Sequence, residues 1–182
     1  MVEKYEGMMS SGTVLILGGA RSGKSQRAEA LAEQSSLDIV YIATSPQMQD
    51  DKEWQQRIQK HQQGRPKHWH TVEEPLDLCG VLNGLKSNQC AVVDCLTLWL
   101  FNIMADGRNI ELETASLCTC LSKLDQQVVL VSNELGMGLV PEQKLGRDFR
   151  DAQGRLNQAV AKVAGRVEFV VAGIPMLLKE TL

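Results

Sequence analysis

The segment Gly18-Gly19-Ala20-Arg21-Ser22-Gly23-Lys24-Ser25 matches G-x-x-x-x-G-K-[ST]. It stands between a short apolar run, Thr13 to Leu17 (TVLIL), and a helix-like stretch, Ser25 to Gln34, with Ala28, Leu31 and Ala32 at core spacing. A strand entering this loop and a helix leaving it make a cradle for phosphate. The glycines let the backbone wrap closely and present its N–H groups. The helix aims the positive end of its dipole at the same point. Lys24 reaches the β- and γ-phosphates, and the Ser25 hydroxyl is suited to ligate Mg²⁺. Because the loop works inside a strand–turn–helix unit, it points the whole chain toward an α/β architecture.

The remaining pattern agrees. Asp38–Ala43 (DIVYIA), Gln89–Val93 (QCAVV), Val128–Val131 (VVLV) and Val167–Ala172 (VEFVVA) read as buried strands, with a short one at Thr71-Val72. Helices are expected over Asp51–Gln63, capped by Asp51 and ended by Gly64 and Pro66, and over Leu76–Leu85, Glu111–Leu124 and Asp148–Ala164. Continuous apolar strands joined by helices predict a mostly parallel central sheet covered on both faces, an α/β fold of the P-loop NTPase type. The reading is one domain over 13–182, preceded by a polar, flexible extension over 1–12. Such sheets bind ligands at the carboxyl ends of their strands. Those ends carry Gly18-Gly19, Thr44-Ser45, Asp94, Asn133-Glu134 and Gly173. Asp94 follows Ala91-Val92-Val93, as an acidic Mg²⁺-shell residue would opposite Ser25. A solvated strand-end aspartate or a helix N-cap is the competing reading.

Composition narrows the function. Nineteen Lys and Arg against 22 Asp and Glu leave a net charge of −3, so no bulk positive field draws nucleic acid or an anionic membrane. Aromatic residues are 4% of the chain, too few for a stacking platform. Five cysteines, at 79, 90, 95, 118 and 120, form no CxxC pair, which argues against a disulfide framework or a zinc site and suits a reduced cytoplasm. There is no membrane-length apolar run and no apolar signal region near Met1.

Trp54, Ile58 and His61 share one face of the expected 51–63 helix, with His61 in its last turn before Gln62-Gln63-Gly64-Arg65-Pro66. From the residues alone His61 has three readings. It is an ordinary C-terminal histidine favoured by the helix dipole, a general base, or a nucleophile toward a nucleotide α-phosphate. His68 and His70 read as a solvated strand edge. Arg147, Arg150 and Arg155 read as a solvated, salt-bridged face, with a subunit interface or contact to a substrate phosphate as alternatives.

Several segments occur in a fixed order: GGARSGKS at 18–25, YIATS at 41–45, RIQKHQQGRPKHW at 57–69, VVDCLTLW at 92–99, SNELGMGLVPE at 132–142, GRDFRDAQGRLNQAVA at 146–161 and VAGIP at 171–175. Together they resemble the bifunctional adenosylcobinamide kinase/adenosylcobinamide-phosphate guanylyltransferase family of cobalamin biosynthesis. The resemblance covers nearly all of residues 13–179. It implies phosphorylation of adenosylcobinamide by ATP or GTP, followed by transfer of GMP from GTP to adenosylcobinamide phosphate. It places a guanylylated histidine at His61 and nucleotide contacts at Gly18–Ser25, Ala43, Thr44, Ser45, Gln62, Gln63, Gly64, Arg65, Glu73 and Asp94, with Mg²⁺ on Ser25 and Asp94. It also implies a homo-oligomer, a trimer, with the corrinoid between subunits. The chain differs from relatives at Lys60, where a second histidine can stand, and at Asp94, where glutamate is frequent. Rival readings are a P-loop kinase for another small metabolite, with His61 inert, and a non-catalytic nucleotide-dependent switch.

Overall fold

The computed structural model describes residues 12–45, 66 and 68–181. Seven strands, β1 (Thr13–Gly18), β2 (Asp38–Ala43), β3 (His70–Glu73), β4 (Gln89–Asp94), β5 (Gln127–Asn133), β6 (Arg166–Val171) and β7 (Ile174–Glu180), form one sheet in the order β3-β2-β4-β5-β1-β6-β7. All neighbours run parallel except the antiparallel pair β6–β7. The described helices are α1 (Lys24–Gln34), α2 (Leu78–Asn83), α3 (Leu96–Ala105), α4 (Ile110–Leu121) and α5 (Lys144–Val163).

Period-two alternation divides the core into two layers. Val14 and Ile16 of β1 pack with Ala28, Leu31 and Ala32 of α1 on one face of the sheet. Leu15 and Leu17 pack on the other face with Leu96 and Leu100 of α3, Leu117 of α4 and Leu156 of α5. Burial on both faces is why the strands are continuous apolar runs. Side chains start two of the helices: Asp77 accepts from the Gly80 N–H at 2.8 Å and Asn109 from the Leu112 N–H at 2.9 Å.

Two elements have no counterpart in the periodicity reading. The helix α3 (LTLWLFNIMA) buries Leu96, Thr97, Trp99, Leu100, Asn102 and Ile103, so most of its circumference is core and no apolar stripe marks it. The strand β7 (IPMLLKE) lies at the sheet edge with nearly every residue exposed, so it lacks alternation. In addition, α5 begins at Lys144, four residues ahead of the expected Asp148. The expected 51–63 helix and the 1–11 part of the expected extension lie outside the described residues. Among the described residues, no helix is long and apolar enough to cross a membrane.

One buried charge cluster ties α1 to the β6–β7 hairpin. Glu168, 1% exposed, accepts two bonds from Arg27, at 2.7 and 2.8 Å, and one from Arg166 Nε at 2.8 Å. Burial alone would raise its carboxyl, but the hydrogen bonds and charges of Arg27 and Arg166 hold it below the usual carboxylate range. A carboxyl depressed in the folded state contributes stability above its unfolded value, near 4.3, and loses it as pH falls through the lower folded value. Glu168→Gln leaves two arginines facing a neutral amide and is expected to cost about 3 kcal/mol at pH 7. Urea unfolding of wild type and variant should show that difference shrinking below roughly pH 4. A gap of equal size at pH 7 and pH 3 contradicts this role.

Candidate active site

The strand order places β5 between β1 and β4. The loop leaving β1 and the carboxylate ending β4 therefore flank one strand. Gly18 is level with Asn133 of β5, and Asp94 with Val131.

The loop backbone is held from several sides. Ser22 N–H donates to the Gly19 carbonyl at 3.3 Å, and the Ser22 carbonyl accepts from the Gly173 N–H at 2.8 Å. The Gly18 carbonyl accepts from the Glu134 N–H at 3.1 Å, which fixes the loop to the exit of β5. Gly18 has no room for a side chain: a Cβ there would lie 2.5 Å from Ser22 Oγ and 2.7 Å from the Val170 carbonyl oxygen. Gly23 has φ of 95° and faces the Gly173 Cα, so a Cβ there meets both strain and backbone. Arg21 also takes positive φ, 58°, within the turn. Among the described residues the buried Ser22 hydroxyl has no hydrogen-bond partner.

Lys24 opens α1 and folds back over the loop, donating to the Gly19 carbonyl at 3.1 Å. Burial lowers its ammonium pKa, partly offset by the attraction of Cys95 and Asp94. Burial, with help from Asp94, pushes the Cys95 thiol up to about 11. At neutral pH Cys95 is therefore an uncharged thiol, and the charge facing Lys24 is that of Asp94. Tyr41, 2% exposed in β2, donates its hydroxyl to Asp94 Oδ2 at 2.8 Å and fixes the carboxylate.

Ser25 follows Lys24, and its hydroxyl makes no hydrogen bond with another described residue. A serine hydroxyl and one carboxylate are hard oxygen donors. No group of three His, Cys, Asp or Glu side chains with metal-binding geometry occurs among the described residues. That sparse donor set fits Mg²⁺, which keeps several waters and takes phosphate oxygens as ligands. Asp94→Asn is expected to weaken the Mg²⁺-dependent part of nucleotide affinity by roughly tenfold or more, with the fold retained. Calorimetric titration with and without Mg²⁺ reads this directly. Equal Mg²⁺ dependence in both proteins assigns Asp94 a structural role.

The other expected site residues divide. Ala43 ends β2, and Thr44 and Ser45 follow. Thr44 is fully buried, and its side chain is occupied: Oγ1 donates to the Cys95 carbonyl at 2.7 Å and accepts from the Cys95 N–H at 2.8 Å. Asn102 of α3 donates to the Thr44 carbonyl at 2.8 Å. The Thr44 side chain thus builds the floor under Asp94. Glu73 pairs with Ala43 on edge strand β3, four strands from β1, or about 19 Å at ordinary strand spacing. The structure therefore does not bring Glu73 to the phosphate loop. His68 and His70 are exposed around buried Trp69. His61, Gln62, Gln63, Gly64 and Arg65 lie outside the described residues.

Sequence reasoning missed a polar network behind the rim. Gln153 Nε2 donates to Ser132 Oγ and to Asn157 Oδ1, both at 2.9 Å. Asn157 Nδ2 donates to the Asn133 carbonyl at 3.0 Å, and Thr97 Oγ1 accepts from the Asn133 N–H at 2.9 Å. The signal was present: Gln153 and Asn157 are polar residues at i and i+4 inside the apolar stripe of α5.

Residues 14–178 match the family described as cobinamide kinase / cobinamide phosphate guanyltransferase. The chain is 48% identical to the bifunctional adenosylcobalamin biosynthesis protein CobP of Pseudomonas aeruginosa, over 91% of this chain and 96% of that protein. It is 41% identical to the bifunctional adenosylcobalamin biosynthesis protein CobU of Escherichia coli, over 91% and 99% of the respective chains. Solved structures share the fold. An ATPase of a bacterial type III secretion system aligns with TM-score 0.56 at 11% identity, over 91% of this chain and 56% of that one. The flagellar accessory protein FlaH of Methanocaldococcus jannaschii aligns with TM-score 0.54 at 12% identity, over 96% and 81%.

Proposed function

The chain belongs to the cobinamide kinase / cobinamide phosphate guanyltransferase family, and on that premise we propose how its residues divide the two reactions. It is a bifunctional kinase and guanyltransferase of adenosylcobalamin biosynthesis, as its relatives are. In the first reaction the hydroxyl oxygen of the adenosylcobinamide aminopropanol arm attacks the γ-phosphorus of ATP or GTP. The bond to the β-phosphate oxygen breaks, the hydroxyl proton passes to solvent, and the nucleoside diphosphate leaves. The N–H groups of residues 18–25 and the Lys24 ammonium hold the β- and γ-phosphates. Ser25 and Asp94 hold Mg²⁺, which supplies neutralising charge to the phosphate oxygens when bound. Tyr41 and the Thr44–Cys95 knot keep Asp94 aimed at that point.

In the second reaction an imidazole nitrogen of His61 attacks the α-phosphorus of GTP. An N–P bond forms and pyrophosphate leaves. A phosphate oxygen of adenosylcobinamide phosphate then attacks the same phosphorus, the N–P bond breaks, and adenosylcobinamide-GDP results. The support for His61 is the likeness of residues 57–69 to the family's guanylylated segment. Ala43, Thr44, Ser45, Gln62, Gln63, Gly64, Arg65 and Glu73 complete the nucleotide site. A nucleotide contacting both the loop and Glu73 lies along the carboxyl rim. The protein works as a homo-oligomer in the cytoplasm without a nucleic-acid or membrane partner.

The observation that carries this reading is the strand-embedded phosphate loop, with Lys24 facing Asp94 across the end of β5. Purified protein given adenosylcobinamide, ATP, GTP and Mg²⁺ should yield the phosphate and then the GDP derivative, resolved by chromatography. Nucleotide hydrolysis without either corrinoid product contradicts it.

A further inference from the structure

The helix α5 carries three arginines whose surroundings differ. Arg147 is committed to its own loop: Nη1 donates to the carbonyls of Pro141, at 3.0 Å, and Glu142. Arg155 is exposed on the outer face. Arg150 is only 21% exposed at its side chain, and among the described residues its one carboxylate neighbour within 4 Å is Asp151, at 3.6 Å. Asp151 is adjacent in sequence and 58% exposed, so this pair satisfies little of a five-donor guanidinium.

Helical phase shows where Arg150 stands. Residues 150, 154, 157 and 161 lie in one column, at i, i+4, i+7 and i+11. Gly154, Asn157 and Ala161 line an open groove of about 410 Å³, opposite Leu17, Glu134 and Val167. That volume is within the range of small-molecule sites. The groove runs beside the end of β1, next to the phosphate loop. Gly154 leaves the column open: among the described residues a Cβ there would meet nothing within 4 Å.

The height is set by two hydrogen bonds. Gln153 and Asn157 meet Ser132 and Asn133, at the carboxyl end of β5. Arg150 is one turn ahead of Gln153, about 4.5 Å further along the axis, on the side beyond the rim. Phe149 fixes this part of α5 by packing edge-on against Phe101 of α3, with ring centroids 6.4 Å apart. Arg150 is thus a held, under-paired guanidinium one turn beyond Gly154, on the helix face that lines this groove. It stands on the sheet face opposite α1, because α5 and α1 pack on different layers of the core.

We propose that Arg150 binds the phosphate of the phosphorylated acceptor in the second reaction, and so distinguishes adenosylcobinamide phosphate from the alcohol. The inference rests on the proposed function above. A guanidinium suits a phosphate monoester, offering two parallel N–H donors and a fixed charge. The nucleotide's own β- and γ-phosphates already have the loop amides and Lys24, on the α1 side. An anion touching Arg150 lies on the other wall of the cleft, away from α1. The alcohol substrate of the first reaction has no charge there and gains nothing from Arg150.

The test is steady-state kinetics of both reactions for wild type, Arg150→Met and Arg150→Lys, with Arg155→Met as a surface control and thermal midpoints for all four. Arg150→Met should raise KM for adenosylcobinamide phosphate by roughly tenfold or more, the loss expected of one charged phosphate contact. KM for GTP and for the alcohol should stay within about threefold, and Arg150→Lys should recover part of the loss, keeping charge but not bidentate geometry. A rise in KM for GTP instead assigns Arg150 to the nucleotide and overturns the proposal. So does an unchanged KM for the phosphate, or an equal loss in both reactions with a lowered thermal midpoint. If wild-type protein makes neither corrinoid product, the functional reading itself fails, which none of those outcomes produces.

Discussion

Lys24→Ala is expected to lower the rate of phosphoryl transfer to adenosylcobinamide by 10²-fold or more, equivalent to about 2.7 kcal/mol or more of transition-state stabilisation. The reasoning is geometric. Lys24 is the single cation of the 22–25 turn, and its ammonium already lies over the loop carbonyl of Gly19. Burial lowers its pKa, so its hydration has been partly removed before a phosphate arrives. The water it lost is replaced by fixed groups, the Gly19 carbonyl and the opposing charge of Asp94. Arg21 is exposed, without the desolvation that Lys24 has undergone, and is not expected to substitute. The fold should survive, since the hydrogen bond that Lys24 makes among the described residues is to the Gly19 carbonyl of its own loop. Single-turnover kinetics with ATP read the chemical step. Wild-type turnover in the variant removes the phosphate loop from the mechanism.

What was legible in the sequence was whatever has a local cause. The phosphate loop was readable because glycine conformation, strand and helix are all neighbours in the chain. Gly18 and Gly23 stand where the structure admits little else. Asp94 was readable because it ends an apolar strand. The parallel sheet followed from runs of Val, Ile and Leu with no alternation. The helix α3 was not readable, because a helix buried around most of its surface has no period to detect. Nor was β7, an exposed edge strand joined to β6 by a turn through Ala172 and Gly173, both at positive φ.

Partners distant in sequence were also hidden. Nothing local in DIVYIA shows that Tyr41 holds Asp94, 53 residues away. Thr44 is suited by type to touch a ligand, yet its hydroxyl is used by Cys95, 51 residues away. Likewise Arg147, Arg150 and Arg155 are equivalent as sequence, and only the phase of α5 against the end of β5 separates them.

The second large effect concerns His61. If its imidazole is the nucleophile, His61→Ala removes the one group that forms the N–P bond, and guanylyl transfer should fall to background. In the kinase reaction as proposed, Lys24, Ser25 and Asp94 act on the nucleotide and no covalent intermediate forms. Its rate should remain within several-fold of wild type, a barrier change of about 1 kcal/mol or less. A contact shared by both reactions would instead depress both together. A guanylyl-histidine also has a chemical signature. Its P–N bond is cleaved in acid and survives alkali, whereas a phosphoester to serine survives acid. The most direct measurement is incubation of wild type and His61→Ala with α-³²P-GTP and Mg²⁺, followed by denaturing separation, acid and alkali treatment and intact-mass analysis. The account predicts one GMP per wild-type chain, lost in acid and kept in alkali, and none on the variant. Label of the same stability on His61→Ala, or no label on wild type at any Mg²⁺ concentration, contradicts it.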